Sequence, residues 1–162
     1  MRSLLAGLAL VVMAAPATAQ VTFSADAIEE LQTLTVRVDV FGSGRDDGQL
    51  GGLLEEAIRQ ELRRADILFE RGEPRADDCC VLRLDVRLVT GAGRARFGTG
   101  YITRLELGFM DRIGNVPTWT TLWAGRFLSN IVERPDLAEN LRAAARDLVG
   151  QFIDLYRERF PR

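Results

Sequence analysis

Polar and apolar residues alternate along three stretches of the chain, and each stretch predicts a β-strand that is buried on one face. The stretches are Thr33 to Val40, Cys80 to Leu88 and Arg104 to Phe109. A period of two residues sends successive side chains to opposite faces of a sheet. The predicted sheet therefore has one apolar face and one face that carries arginine, aspartate and glutamate.

Two further stretches are predicted to be strands. The short apolar run from Ile67 to Phe69 ends just before Gly72 and Pro74, which limits it to a brief strand. The stretch from Trp119 to Leu128 completes a meander of three consecutive antiparallel strands with the two alternating stretches before it.

The two tryptophans are four residues apart, so a regular strand places Trp119 and Trp123 on the same face. Hairpin pairing with Phe109 and Leu105 would bury both rings in the core. If they lay outside the core, they would instead be the strongest contact anchors in the chain.

Apolar residues spaced three and four apart predict two amphipathic helices. The first begins with Asp46 or Asp47 as its N-cap and ends near Arg64, and the second opens at Pro135 and ends near Pro161. The order is strand, helix, short strand, three-strand meander and long helix. We predict an α+β fold of two layers, in which an antiparallel sheet of four to five strands carries both helices on one face.

Charged residues on the second and third alternating stretches predict how these strands pair. Arg83 opposite Glu106 and Asp85 opposite Arg104 would join unlike charges. A slip by two residues would bring Asp85 against Glu106, and like charges directly opposite each other are destabilising. We therefore predict the first register.

The N-terminal residues have the composition of a secretory signal peptide. One arginine precedes an apolar stretch from Leu4 to Ala14, and the triplet Ala17-Thr18-Ala19 follows, which predicts cleavage before Gln20. We expect a signal peptide, residues 1–19, and one α+β domain, residues 20–162, in the periplasm or secreted. No lipid anchor is expected, because glutamine rather than cysteine follows the cleavage site.

The composition excludes several kinds of chemistry. All 21 basic residues are arginine, and the chain has neither lysine nor histidine. Histidine-activated nucleophiles, Schiff-base lysines and histidine-bound zinc are therefore excluded. The slight excess of acidic residues does not favour nucleic acid as a partner, and no later stretch approaches the roughly 20 apolar residues of a membrane-spanning helix. We predict no catalytic residue, no metal site and no cofactor.

The chain has two cysteines, the neighbours Cys79 and Cys80, in a compartment that is expected to be oxidising. Adjacent residues of a strand point to opposite faces, so a bond between these two would require a strained peptide. We expect one buried and one exposed thiol. A vicinal redox pair and an intermolecular disulfide are the alternatives.

The charged face of the predicted sheet is the candidate binding surface. Its arginines are Arg37, Arg83, Arg87 and Arg104, with Arg126 as a further candidate, and they alternate with Asp39, Asp85 and Glu106. Such a surface could receive an anionic partner, including the phosphates of an envelope glycolipid, because guanidinium binds phosphate bidentately. The alternative is a structural ladder of cross-strand ion pairs, and the sequence favours this interpretation because such pairs are common on exposed sheet faces.

Two more arginines, Arg94 and Arg96, lie in a glycine-rich connection between strands, from Gly91 to Gly100. This connection lacks the helix N-terminus that assists phosphate-binding loops, so it is predicted to be a hairpin loop whose arginines could contact an anion. The predicted partner-binding residues are Arg83, Arg87, Arg104, Arg94 and Arg96.

The order of the elements resembles that of small envelope proteins of Gram-negative bacteria, and in particular of the lipopolysaccharide-assembly lipoprotein family. The stretch Gly51 to Leu62, the meander from Cys80 to Leu128 and the closing helix from Leu137 to Phe160 carry the resemblance. The resemblance implies an accessory role in lipopolysaccharide or outer-membrane assembly. The sequence departs from that family at Gln20, where the lipid-modified cysteine would stand.

The sequence therefore favours a non-catalytic periplasmic or secreted accessory protein whose partner is an envelope protein or an anionic glycolipid. A small secreted hydrolase of glycans is the alternative, because aspartate and glutamate are the only plentiful acid and base groups. It would require two carboxyl groups in one cleft. A third hypothesis is a structural protein that forms oligomers through a sheet edge.

Overall fold

The computed structural model describes residues 34–42, 47–70, 80–90 and 98–159. The elements in chain order are β1 Leu34–Phe41, α1 Asp47–Arg64, β2 Phe69–Glu70, β3 Val81–Thr90, β4 Thr99–Ile113, β5 Val116–Ala124, β6 Leu128–Val132, a 3-10 turn Arg134–Asp136 and α2 Leu137–Arg159. Both predicted helices are present, and the brief second strand begins two residues later than predicted. The predicted signal peptide lies outside the described residues.

The fold is α+β, as predicted, but its sheet is mixed rather than purely antiparallel. The strands are ordered β2-β1-β3-β4-β5, and β6 pairs with the first part of β4. Strand β1 runs parallel to both β2 and β3. The prediction of an antiparallel sheet was wrong for this edge because helix α1 carries the chain back across the sheet, and such a crossover joins parallel strands.

The charge pattern predicted the pairing of β3 with β4 correctly. Arg83 lies opposite Glu106, and Asp85 lies opposite Arg104. The two strands run antiparallel from Val81 opposite Gly108 to Thr90 opposite Thr99.

Helices α1 and α2 cover one face of the sheet, and the core lies between these two layers. Its largest fully buried side chains come from both helices and from the three central strands; they are Leu34, Leu54, Ile58, Leu62, Val81, Leu82, Leu84, Leu105, Leu107, Leu141, Leu148 and Phe152. Because the helices occupy only one face, the alternate residues of β1, β3 and β4 lie on the opposite face, which we call the outer face.

Strands β5 and β6 both pair with the edge of β4 that lies away from β3, and the pairing of β5 with β4 is irregular. Leu107 lies opposite Trp123 and Gly108 lies opposite Thr121, so Leu122 is an extra residue in β5. A bulge of one residue reverses which side chains face the core beyond it. The two tryptophans therefore lie on opposite faces, and the prediction that they share a face was wrong.

Cys80 is buried and takes part in a disulfide, so the expected free thiol is wrong for this residue. Cys79, Arg94 and Arg96 lie outside the described residues.

Candidate functional site

The outer face carries the arginines and carboxylates that the sequence placed together. Arg37 and Arg83 are register partners on the parallel strands β1 and β3, and so are Asp39 and Asp85. Like charges thus lie side by side across these strands, and oppositely charged residues follow each other along them. Ion pairs form along the strands, with 2.9 Å between Arg37 Nε and Asp39 Oδ1 and 3.1 Å between Arg83 Nη2 and Asp85 Oδ2.

Glu106 lies at the centre of the outer face and is only 8% exposed. Its Oε2 accepts a hydrogen bond of 3.0 Å from Arg83 Nη2, and its Oε1 lies 3.1 Å from Arg104 Nη1. One buried carboxylate thus binds two guanidinium groups from two strands. Hydrogen bonds between charged groups are about twice as strong as neutral ones, so Glu106 fixes the positions of both arginines.

Each of these arginines also stacks on an aromatic ring. The Arg83 guanidinium carbon lies 4.3 Å from the ring centroid of Trp119, and that of Arg104 lies 4.6 Å from the ring centroid of Phe127. We call this continuous row, Trp119, Arg83, Glu106, Arg104 and Phe127, the arginine ladder. Cation–π stacking and ion pairing together hold its two guanidinium groups in place.

Trp119 reaches the outer face because of the bulge in β5, and a glycine makes room for its ring. A Cβ atom built on Gly108 would lie 2.3 Å from the carbonyl oxygen of Thr120 and 2.7 Å from the Trp119 ring. The sheet can therefore bring Trp119 against Arg83 only with a residue at position 108 that has no side chain.

Phe127 is positioned by the short link between β5 and β6. The backbone N–H of Gly125 donates to the carbonyl of Leu105 at 2.8 Å, and Arg126 Nη2 lies 2.6 Å from Asp147 Oδ2 on α2. These two contacts anchor the link to β4 and to the helical layer. Phe127 is then left on the outer face, 64% exposed. Arg126, which was a further candidate for the outer face, instead turns toward the helices.

A cavity of about 300 Å³ opens on the outer face beside the ladder. The residues that line it are Asp85, Arg87, Ile102, Thr103, Arg104, Glu106 and Phe127. Arg87 is exposed, and within the described parts of the chain it forms no salt bridge. The cavity therefore combines one uncommitted guanidinium group with an aromatic ring and two carboxylates.

Burial raises the pKa of Asp85 above its ordinary value of 3.8. The positive charges of Arg83 and Arg87 oppose this rise, and the negative charges of Glu106 and Asp39 add to it. Burial is the largest of these effects, because it removes water from the carboxylate.

This raised pKa predicts how Asp85 affects stability as the pH changes. The folded state holds the Asp85 proton more tightly than the unfolded chain, so its contribution to the free energy of unfolding falls as pH rises from 3.8 through the raised pKa. We expect the wild type to lose stability relative to Asp85→Asn between pH 4 and pH 7. Urea unfolding of both proteins across this range tests the prediction. A difference that is constant, or that grows in favour of the wild type, would contradict it.

Three of the five predicted binding residues come together in the structure. Arg83 and Arg104 belong to the ladder, and Arg87 lines the cavity. Phe127 and Ile102 also belong to this site, and they were not predicted from the sequence. The one indication of Phe127 in the sequence was the tripeptide Gly125-Arg126-Phe127, which interrupts the alternation of polar and apolar residues in the predicted strand.

Two negative findings apply to the residues that the structure describes. Their Asp, Glu and Cys side chains form no group of three that could hold a metal ion. None of their helices combines the length and the apolar character needed to cross a membrane.

The sequence matches no protein-family model and no curated protein. Among solved structures, the chain is similar to the PelC dodecamer from Paraburkholderia phytofirmans, with 13% identity and a TM-score of 0.34 over 74% of this chain and 80% of that one. It is also similar to a minor lipoprotein from Acinetobacter baumannii, with 20% identity and a TM-score of 0.30 over 75% of this chain and 89% of that one.

Proposed function

We propose that this protein is a non-catalytic accessory protein of the bacterial cell envelope, periplasmic or secreted, which binds an anionic envelope component through its outer face. The observation that supports this is Arg87, whose guanidinium group lies beside a cavity and forms no salt bridge with the described residues, while the neighbouring arginines are held by carboxylates. The proposed role is linked to lipopolysaccharide or outer-membrane assembly.

The ion pairs of the outer face support a structural role for most of its arginines. Arg37, Arg83 and Arg104 each lie within 3.1 Å of a carboxylate oxygen. Such pairs stabilise the sheet and neutralise these charges, so they offer little to a partner. Arg87 differs, since its charge acts on Asp85 but it forms no salt bridge with the described residues, and strand β3 fixes its place in the cavity.

Large apolar side chains surround Arg87 and support the same proposal. Phe41 is its register partner on β1, and Ile102 is its partner on β4. One row further along, Val89 and Ile131 flank Gly100. All four side chains are at least 43% exposed. Exposed apolar residues that cluster around a charge are typical of interaction surfaces, whereas single exposed residues are not.

Flotation with vesicles tests the proposed function. Phosphatidylcholine vesicles that contain lipopolysaccharide are expected to bind the protein, and vesicles of phosphatidylcholine alone are not. Arg87→Glu should lower the bound fraction about tenfold, because it reverses one charge at the membrane-facing site. Arg157→Glu is the matched control, since Arg157 is an exposed arginine on helix α2 in the opposite layer. Binding that is absent in the wild type, or equal in both variants, would contradict the proposal.

One observation favours a second candidate, a hydrolase of glycans. Arg83 Nη2 lies 3.1 Å from Asp85 Oδ2 and 3.0 Å from Glu106 Oε2, so these two oxygens are at most about 6 Å apart. This limit includes the separation of about 5 to 5.5 Å between the carboxyl groups of retaining glycoside hydrolases. The raised pKa of Asp85 would suit a general acid. The guanidinium group between the two carboxylates argues against this role, because it occupies the space that a glycosidic bond would need.

An assay for reducing ends separates the two candidates. With bacterial polysaccharides as substrates, the accessory role predicts no release by the wild type. Release that is lost in Asp85→Asn, while the variant keeps its fold, would favour the hydrolase.

A further inference from the structure

The groups that line the cavity define the chemistry of a ligand more narrowly than the proposed function does. Arg87 offers hydrogen-bond donors and a positive charge, and Asp85 offers carboxylate oxygens. Ile102 and the exposed ring of Phe127 offer apolar contact. A ligand that uses all of these must combine an anionic group, hydroxyl groups and an apolar surface in a small volume.

The balance of charge limits the ligand to about one negative charge. Arg87, Arg104, Asp85 and Glu106 line the cavity with two positive and two negative charges. Arg83 lies outside the lining but forms ion pairs with both carboxylates, so the five groups together carry one excess positive charge. The remaining positive charge lies on Arg87. A group with two negative charges, such as a phosphate monoester, would leave uncompensated charge beside two carboxylates, and like charges at close range are unfavourable. A carboxylate matches the site.

Phe127 presents an aromatic surface beside this charge. One side of its ring is taken by the Arg104 guanidinium, yet the side chain as a whole is 64% exposed. The C–H face of a pyranose ring packs on aromatic rings, and its hydroxyl groups bond to carboxylates and guanidinium groups. The volume of about 300 Å³ is at the small end for ligand sites, which suits one or two sugar rings.

We propose that this cavity binds an acidic sugar residue, with its carboxylate on Arg87, its ring against Phe127 and a hydroxyl group on Asp85. This inference rests on the proposed function and specifies the ligand of the same site. The sugar can belong to a free acidic polysaccharide or to the headgroup of a glycolipid. The ladder contributes by holding Arg104 and Phe127 in place before the ligand arrives, which lowers the entropic cost of binding.

Titration calorimetry with two soluble probes tests this assignment. The probes are a trimer of galacturonic acid and the same trimer with its carboxyl groups methyl-esterified. We expect the wild type to bind the acid about tenfold more tightly than the ester, the value of one charged bidentate pair. Arg87→Gln should remove this preference without weakening the binding of the ester.

Replacement of Phe127 tests the aromatic contact separately. Phe127→Ala should weaken the binding of both probes about fivefold, because stacking does not depend on the carboxylate. Phe127→Leu keeps most of the apolar volume without the ring and should behave like the alanine variant. Arg157→Gln on α2 is the control and should bind both probes as the wild type does. Circular dichroism of each variant establishes that it is folded.

Several results would overturn the inference. They are equal affinity of the wild type for acid and ester, a preference for the acid that persists in Arg87→Gln, and wild-type binding in both Phe127 variants.

If the protein binds lipopolysaccharide vesicles but not the acidic trimer, the assignment of the ligand fails while the proposed function stands. If the trimer binds and displaces the protein from the vesicles, the sugar belongs to a glycolipid headgroup. If the trimer binds and the protein has no affinity for the vesicles, the ligand is a free polysaccharide and the vesicle-binding function fails.

Discussion

Replacing Glu106 by alanine is expected to lower the free energy of unfolding by about 3 kcal/mol, since it removes the shared partner of two partly buried guanidinium groups. Glu106 is 8% exposed and lies within 3.1 Å of both Arg83 and Arg104. Without it, Arg83 keeps Asp85 as its ion-pair partner among the described residues, and Arg104 loses its ion pair with Glu106. The stacking on Trp119 then loosens, so the tryptophan fluorescence of the folded variant should also change.

Asp39→Ala is the matched control for this prediction. Asp39 is also a carboxylate on the outer face with an arginine partner, but that partner, Arg37, is 53% exposed at its side chain. Exposed ion pairs contribute little, so a loss of less than about 1 kcal/mol is expected. Urea unfolding of both variants measures the two values. Equal losses in the free energy of unfolding would contradict the prediction that Glu106 stabilises the fold more than the exposed pair of Asp39 with Arg37 does.

Gly108→Ala is expected to lower the free energy of unfolding by about 2 to 3 kcal/mol, the usual cost of overpacking a dense site. The new Cβ would lie 2.3 Å from the carbonyl oxygen of Thr120, and backbone atoms cannot yield as a flexible side chain can. Either β5 moves away from β4 or the Trp119 ring leaves Arg83. Thermal unfolding and the fluorescence of Trp119 report these two changes.

A glycine in the helical layer provides the control for Gly108→Ala. A Cβ on Gly150 in α2 would meet nothing within 4 Å. Because alanine is the better helix former, Gly150→Ala should raise the free energy of unfolding by roughly 0.5 to 1 kcal/mol. If Gly108→Ala were as stable as the wild type, the close approach of Trp119 to the sheet would be wrong.

The parts of the fold that depend on local pattern were predictable from the sequence. Apolar residues spaced three and four apart predicted both helices, and alternation of polar and apolar residues predicted the strands. Unlike charges on neighbouring strands predicted the pairing of Arg83 with Glu106, because a register shifted by two residues would have placed Asp85 opposite Glu106.

The features that local pattern missed depend on tertiary packing. The parallel pairing of β1 with β3 follows from where α1 crosses the sheet, and the alternation within a strand is the same for parallel and antiparallel neighbours. The bulge at Leu122 has no signal in the alternation, since Trp119 and Trp123 fit a regular strand equally well. The extra residue in β5 becomes apparent only from its pairing with β4.

The same distinction applies to the candidate site. The sequence predicted that Arg83, Arg87 and Arg104 share a face, because spacing in strands determines it. It could not show that Glu106 and two aromatic rings hold two of them while Arg87 stays uncommitted. It also missed Phe127, whose position depends on contacts of the adjacent Gly125 and Arg126 with other elements.

Mapping of backbone amide shifts by nuclear magnetic resonance shows whether the outer face binds an anionic envelope component at Arg87. Lipopolysaccharide is titrated into the isotopically labelled protein as detergent-solubilised micelles. We predict shifts that cluster on β3 around Arg87, on β4 around Ile102 and at Phe127, and that disappear in Arg87→Glu. Shifts that cluster on α1 and α2 instead, or that persist in Arg87→Glu, would contradict the claim.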